Sequence, residues 1–163
     1  MAQILQKQLM DNSSEYEEAR LCAHRVLRSR ERTSSDLNKR LTEKGHSQEV
    51  VQQIVKRFIE VGLVDDKRYV ELYIRESQRS GKGWRRIQHE LRQRGIPTED
   101  LELLEPPLDE EELERAKSIL ERLHIETTHK DREKALRRLH NKGYNIDIAK
   151  KAIAEFTQEN RDW

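Results

Sequence analysis

Between residues 79 and 86 the chain reads Arg79-Ser-Gly-Lys82-Gly83-Trp84-Arg85-Arg86, and Arg92 and Arg94 follow closely. Glycines let a backbone approach a partner closely, and clustered cations suit phosphates or carboxylates. A tryptophan face can stack on a base or anchor a contact. The same residues also read as a helix entry, with Trp84 packed on its own helices and the cations solvated. A second basic block covers residues 20–32, where Arg20, Arg25, Arg28, Arg30 and Arg32 face one acid, Glu31. Residues 99–114 hold nine acids and no base. Net neutrality therefore hides segregated charge, and alternating blocks of this kind could meet complementary patches on a partner.

Catalytic constellations are not legible. The histidines at 24, 46, 89, 124, 129 and 140 lack metal-ligand spacing, so no metal site is expected. Cys22 lies in an apolar stripe and reads as a buried structural thiol. No phosphate-binding glycine loop or nucleophile elbow occurs. An enzyme is not expected.

The elements that must position the charged stretches are helices. Ala19, Cys22, Ala23, Val26 and Leu27 follow helical spacing, as do Val50, Val51, Ile54, Val55, Phe58 and Ile59. Charged residues make up 39% of the 163 positions and the net charge is +1. Leu, Ile, Val and Phe together supply about 23%, just above the level of about 20% that marks disordered chains. That is enough for several thin cores. No apolar run approaches a membrane span, Met1–Met10 shows no secretory pattern, and the lone cysteine cannot close an internal disulfide. An intracellular, cytoplasmic setting is expected.

A repeat organises the chain. Leu37 and Leu41 precede Lys44-Gly45, Ile87 and Leu91 precede Arg94-Gly95, and Ala135 and Leu139 precede Lys142-Gly143. The glycines stand 50 and 48 residues apart. Two apolar residues four apart give a short helix one buried edge. A basic residue in the last turn suits the negative end of the helix dipole, and glycine suits the left-handed position beyond it. A longer helix precedes each copy and another follows it. The expected fold is all-α, an elongated array of three tandem three-helix repeats. The expected boundaries are a tail at 1–14, repeats at 15–62 and 63–104, a linker at 105–108, a third repeat at 109–159 and a tail at 160–163. Ser47 and Asn145 are placed to cap the helices after their glycines, and Gly62 with Asp65, Asp66 and Tyr69 forms a junction. There Gly62 ends one helix, Asp65 or Asp66 caps the next, and Tyr69 faces inward.

Two stretches carry a family resemblance. Gly62-Leu63-Val64-Asp65-Asp66-Lys67-Arg68-Tyr69 and Lys82-Gly83-Trp84-Arg85-Arg86-Ile87 through Glu90-Leu91 to Arg94-Gly95-Ile96 resemble the characteristic runs of the RecX family, regulators of the RecA recombinase. The tandem Lys-Gly copies resemble its triple-helix layout, and the acidic Glu105-Pro106-Pro107 link and Ala135 depart from it. The resemblance implies a non-enzymatic cytoplasmic protein without a cofactor or membrane anchor, acting as a monomer in recombination regulation, DNA repair and the SOS response. It implies binding to the recombinase and its nucleoprotein filament, within the filament groove, with suppression of assembly, ATP hydrolysis and strand exchange. It also implies DNA binding by some members, single- or double-stranded. Arg79, Lys82, Trp84, Arg85, Arg86, Arg92, Arg94, Arg25 and Arg28 are the expected contacts with recombinase or DNA. The alternative is an autonomous DNA-binding helical-repeat module that uses Arg79–Arg94.

Overall fold

The computed structural model describes residues 2–123 and 129–159, so His124 and the 160–163 tail lie outside the described residues. Among the described residues the secondary structure is wholly helical. The helices fall in three groups of three. The first group is α1 (Ala2–Ser29), α2 (Ser34–Glu43) and α3 (Gln48–Glu60). The second is α4 (Asp66–Arg79), α5 (Trp84–Gln93) and α6 (Thr98–Glu102), and the third is α7 (Asp109–Arg122), α8 (His129–Asn141) and α9 (Ile146–Glu159). Residues 2–14, expected as a tail, continue α1 instead. Their charge-poor, Gln- and Leu-containing sequence has no helix breaker to stop them.

The apolar pairs of the repeat are the inner edges of α2, α5 and α8. Leu37, Leu41, Ile87, Leu91, Ala135 and Leu139 are all completely buried. Gly45, Gly95 and Gly143 adopt positive φ of 90°, 79° and 91°, past the ends of these helices. There the left-handed turn lets later amides return to the last carbonyls: His46 N–H reaches Leu41 O at 3.3 Å, and Tyr144 N–H reaches Leu139 O at 3.1 Å. Ser47 begins α3 without a side-chain cap, and its N–H is taken by Glu15 Oε1 at 2.5 Å.

The chain divides into two compact units, residues 1–71 with 94–96 and residues 72–93 with 97–163. The division runs through the middle repeat. In the first unit, small residues on α1 (Ala19, Cys22, Ala23) let α2 and α3 approach, so that Leu37, Leu41, Val51, Ile54 and Phe58 close one core. In the second unit, Leu113, Ala116 and Leu120 of α7 pack with Ala135 and Leu139 of α8 and with Ala149, Ala152 and Ile153 of α9. Tyr144, directly after the third glycine, is fully buried in that core. These two clusters lie in the first and third groups of helices. In the middle group Val70, Ile87, Leu91, Ile96 and Leu101 are buried, and α6 is only five residues long and ends before Glu105-Pro106-Pro107, where proline blocks continuation.

Such thin cores have little redundancy. Leu41→Ala is expected to destabilise the first unit by about 2–5 kcal/mol, because a small core cannot collapse around the lost atoms. Urea unfolding followed by helical circular dichroism checks this. A midpoint indistinguishable from the parent protein would contradict the packing described.

Candidate functional site

The basic stretch begins where α4 ends. Gly81 takes φ +77°, its N–H donates to Gln78 O at 2.9 Å, and Lys82 N–H donates to Ser77 O at 2.9 Å. Arg79 is exposed at this helix end, where a cation complements the dipole. Gly83 then precedes α5, and Ile87 N–H returns to Gly83 O at 3.2 Å.

The two glycines of this stretch are expected to admit a partner backbone, but the structure gives Gly83 an internal neighbour. A Cβ on Gly83 would lie 2.5 Å from the carbonyl carbon and oxygen of Gly143 and from Tyr144 N. The approach is sealed by hydrogen bonds: Gly83 N–H donates to Lys142 O at 2.9 Å, and Arg85 N–H donates to Gly143 O at 3.2 Å. Trp84 N–H donates to Glu112 Oε1 at 2.6 Å. Glu112 belongs to the acidic block, yet it is buried and serves the positive end of α5.

The first unit contains the same junction in other residues. Thr33 precedes α2, accepts from Asp36 N–H at 3.1 Å, and donates its hydroxyl to Arg94 O at 2.7 Å. Ser34 N–H donates to Asp66 Oδ1 at 2.7 Å, and the Ser34 hydroxyl donates to Asp66 Oδ2 at 2.6 Å. A Cβ on Gly95 would collide with the Ser35 side chain, as one on Gly143 would with Arg86. In both junctions a middle helix begins against the basic-Gly turn of the following repeat. The residue before the helix bonds the carbonyl of the basic residue, and its first amide is taken by a carboxylate from that repeat's first helix. Asp65 works locally and accepts Arg68 N–H at 2.9 Å, whereas Asp66 serves α2. Gly62 closes α3 at φ +72° with its N–H on Ile59 O at 3.0 Å, and Tyr69 is half-buried.

The expected contact residues now separate. Lys82 and Arg86 converge on Glu90, at 2.5 Å and 2.9 Å, and Tyr73 hydroxyl also donates to Glu90. Burial raises the Glu90 pKa, but hydrogen bonds from Lys82, Tyr73 and Arg86 outweigh it and hold the carboxyl at about 2. Burial works against the Lys82 cation too, and its bonds to Glu90 and Tyr73 overcome that and raise its pKa. Arg86 donates further to Asn141 O at 3.2 Å. Trp84 is half-buried at the junction. Arg79, Arg85 and Arg92 are exposed, and among the described residues none of the three has an ion pair. Arg94 is half-buried, with its carbonyl committed to Thr33. Arg25 and Arg28 are exposed on α1, in the other unit.

Sequence reasoning missed the junction partners Thr33, Ser34, Glu112 and Tyr144. One signal was available. The residue after the repeat glycine is apolar where the turn is docked (Ile96, Tyr144) and polar at His46, whose neighbour Gly45 has open space where a Cβ would stand. It also missed a cationic groove between α5 and α8, lined by Arg86, Lys134, Arg137, Arg138, Asn141 and Lys142. Its signal was the spacing 134, 137, 138, 142 on one helical face.

Fold and site together define an all-α helical-repeat protein with exposed cationic helix faces. A family model for the second three-helix domain of RecX matches residues 65–102. Regulatory protein RecX of Trichlorobacter lovleyi is 36% identical over 149 residues, spanning 85% of this chain and 96% of its own. That of Halorhodospira halophila is 31% identical, spanning 85% and 88%. The crystal structure of RecX from Lactobacillus salivarius shares the fold at a TM-score of 0.75 and 24% identity, covering 88% of this chain and 97% of that one. The chain belongs to the RecX family of regulatory proteins. Among the described residues no helix is long and apolar enough to cross a membrane.

The junction and the Glu90 cluster each lead to a measurement. Gly45 and Gly143 have nearly equal positive φ, so an alanine at either carries the same backbone penalty of roughly 1–2 kcal/mol. Only Gly143→Ala also collides with Arg86, so its melting temperature should fall clearly below that of Gly45→Ala; equal values would contradict the docking. For Glu90, a depressed pKa contributes stability that is present above the ordinary value near 4.5 and lost as pH falls through about 2. Glu90→Gln should therefore be less stable than the parent at neutral pH, and the difference should vanish in strong acid. A difference that persists unchanged at pH near 2 would rule out the charged cluster as its source.

Proposed function

We propose that this chain binds the RecA recombinase and its nucleoprotein filament, lies in the filament groove, and suppresses filament assembly, ATP hydrolysis and strand exchange. It acts as a monomeric cytoplasmic regulator in recombination and repair, without catalysis or a cofactor of its own. The observation that carries this reading is the locking of α5 by the junction, which holds the exposed Arg85 and Arg92 on a rigid helix instead of a mobile loop. Fixed cations lose little entropy on meeting a complementary surface, and charge complementarity sets register and encounter rate. Membership of a family named for regulation supports the same reading. The alternative of an autonomous DNA module along Arg79–Arg94 draws less support, because Glu90 already engages Lys82 and Arg86.

Substoichiometric protein should inhibit the single-stranded-DNA-dependent ATPase of the recombinase and co-sediment with its filament. Absence of both effects would overturn the proposal. Arg85→Glu with Arg92→Glu is the cleaner residue test, since Arg86 also holds structure. This double variant should lose filament binding while its stability stays within roughly 0.5 kcal/mol per exposed site. Undiminished binding would remove these arginines from the interface.

A further inference from the structure

Among the described residues three lysines are half-buried: Lys82, Lys117 and Lys142. Lys82 rests on Glu90, and Lys117 pairs with Glu114 and Glu155. Lys142 has no carboxylate partner among the described residues and stands among cations instead. Arg138 of α8, Arg86 of α5, Arg122 of α7 and Lys82 of the turn before α5 all act on it. Burial lowers its pKa, and these four charges lower it further. Glu90 of α5 is already shared by Lys82 and Arg86. The backbone fixes the amine in this place. Lys142 N–H donates to Arg138 O at 3.0 Å and to Leu139 O at 3.1 Å, and its carbonyl accepts from Gly83 N–H at 2.9 Å. The side chain turns back over Gly81, where a Cβ would lie 3.6 Å from Nζ. One side of Lys142 remains open, on the groove lined by Arg86, Lys134, Arg137, Arg138 and Asn141, and no acidic side chain lines that groove.

A lysine desolvated beside other cations is a nucleophile, because the free amine attacks and the ammonium does not. The guanidinium groups of Arg86, Arg137 and Arg138 on the same groove offer planar forks suited to phosphoryl oxygens. An electrophile that joins a phosphoryl group to an acyl carbon would use both features at once. We propose that Lys142 is a site of acylation by small acyl phosphates, which this groove holds by their phosphoryl oxygens. The Lys142 ammonium first gives one proton to solvent. The Nζ lone pair then attacks the acyl carbon, and a C–N bond forms. The C–O bond to phosphate breaks, and the leaving phosphate keeps that electron pair and takes the second proton from nitrogen. The products are an amide at Lys142 and inorganic hydrogen phosphate. The amide removes one positive charge from the cluster, which relieves the repulsion among its members.

The test uses the full chain alone, so its failure leaves the regulatory reading standing. Acetyl phosphate is the probe, and peptide mass spectrometry follows acetylation with time at Lys142 and at Lys56, an exposed lysine of α3. Lys142 should react roughly tenfold faster or more, a small part of what holding two reactants together provides. Free inorganic phosphate should slow Lys142 and leave Lys56 unchanged. The N-hydroxysuccinimide ester of acetic acid, which has no phosphoryl group, should favour Lys142 less. Arg138→Gln changes an exposed residue and should keep its helical circular dichroism. It should slow Lys142 about tenfold, the worth of one charge-assisted hydrogen bond. Three results would overturn the proposal: Lys142 no faster than Lys56 with acetyl phosphate, a Lys142 rate indifferent to phosphate or to Arg138→Gln, or an equal preference with the uncharged ester. The last would leave a reactive amine without a phosphoryl site.

Discussion

The approach of Gly83 to the backbone of Gly143 is the constraint on which the second unit depends. The N-terminus of a helix leaves amides without intrahelical partners, and burying them unmet costs free energy. At α5 the amides of Gly83 and Arg85 meet Lys142 O and Gly143 O, and that of Trp84 meets Glu112. None of these bonds would survive a side chain at Gly83, because the two backbones would have to separate. Glycine there is required for space, whereas at 45 and 143 it is required for φ, and at 143 for both. The first unit solves the same problem with Thr33, whose hydroxyl takes the place of the Gly83 amide on the matching carbonyl. Different residue types thus serve one geometry.

This constraint changes how the charged stretch is understood. Lys82 and Arg86 sit on Glu90 and brace α5 from the side, so part of the sequence's most basic segment is structural. The remaining cations gain from that bracing, since Arg85 and Arg92 project from a helix held at its start and at its side. The acidic block divides in the same manner: Glu112 is buried and caps α5, while its neighbours Glu110 and Glu111 are exposed. Charge here positions helices first and addresses partners second.

Much of the fold was legible in the sequence because helical burial has a fixed period. Leu37 with Leu41, Ile87 with Leu91, and Ala135 with Leu139 marked three short helices, and all six are buried. The glycines marked their ends. The long reach of α1 was not legible, since residues 2–14 hold only a weak apolar pattern and helices can persist on propensity alone. The junction was hidden for another reason. A glycine that allows close approach within the fold looks, in sequence, the same as one that lets an exposed loop meet a partner, and the cations around Gly83 point to the second. Nor does a sequence reveal that Glu112, four residues into an acidic run, is the one that turns inward. The groove cations Lys134, Arg137, Arg138 and Lys142 were spaced visibly, with no acid among residues 134–142, but a spacing does not show that α5 brings Arg86 alongside them.

Hydrogen exchange of the Trp84 and Arg85 amides tests the junction most directly. These amides lie in the first turn of α5, where an unsupported helix frays and exchanges at nearly the rate of an open chain. If they are bonded to Glu112 and Gly143 as described, they exchange as slowly as the Leu139 amide in the core of α8 and only when that unit opens as a whole. Rapid exchange at both positions, with Leu139 still protected, would contradict the account.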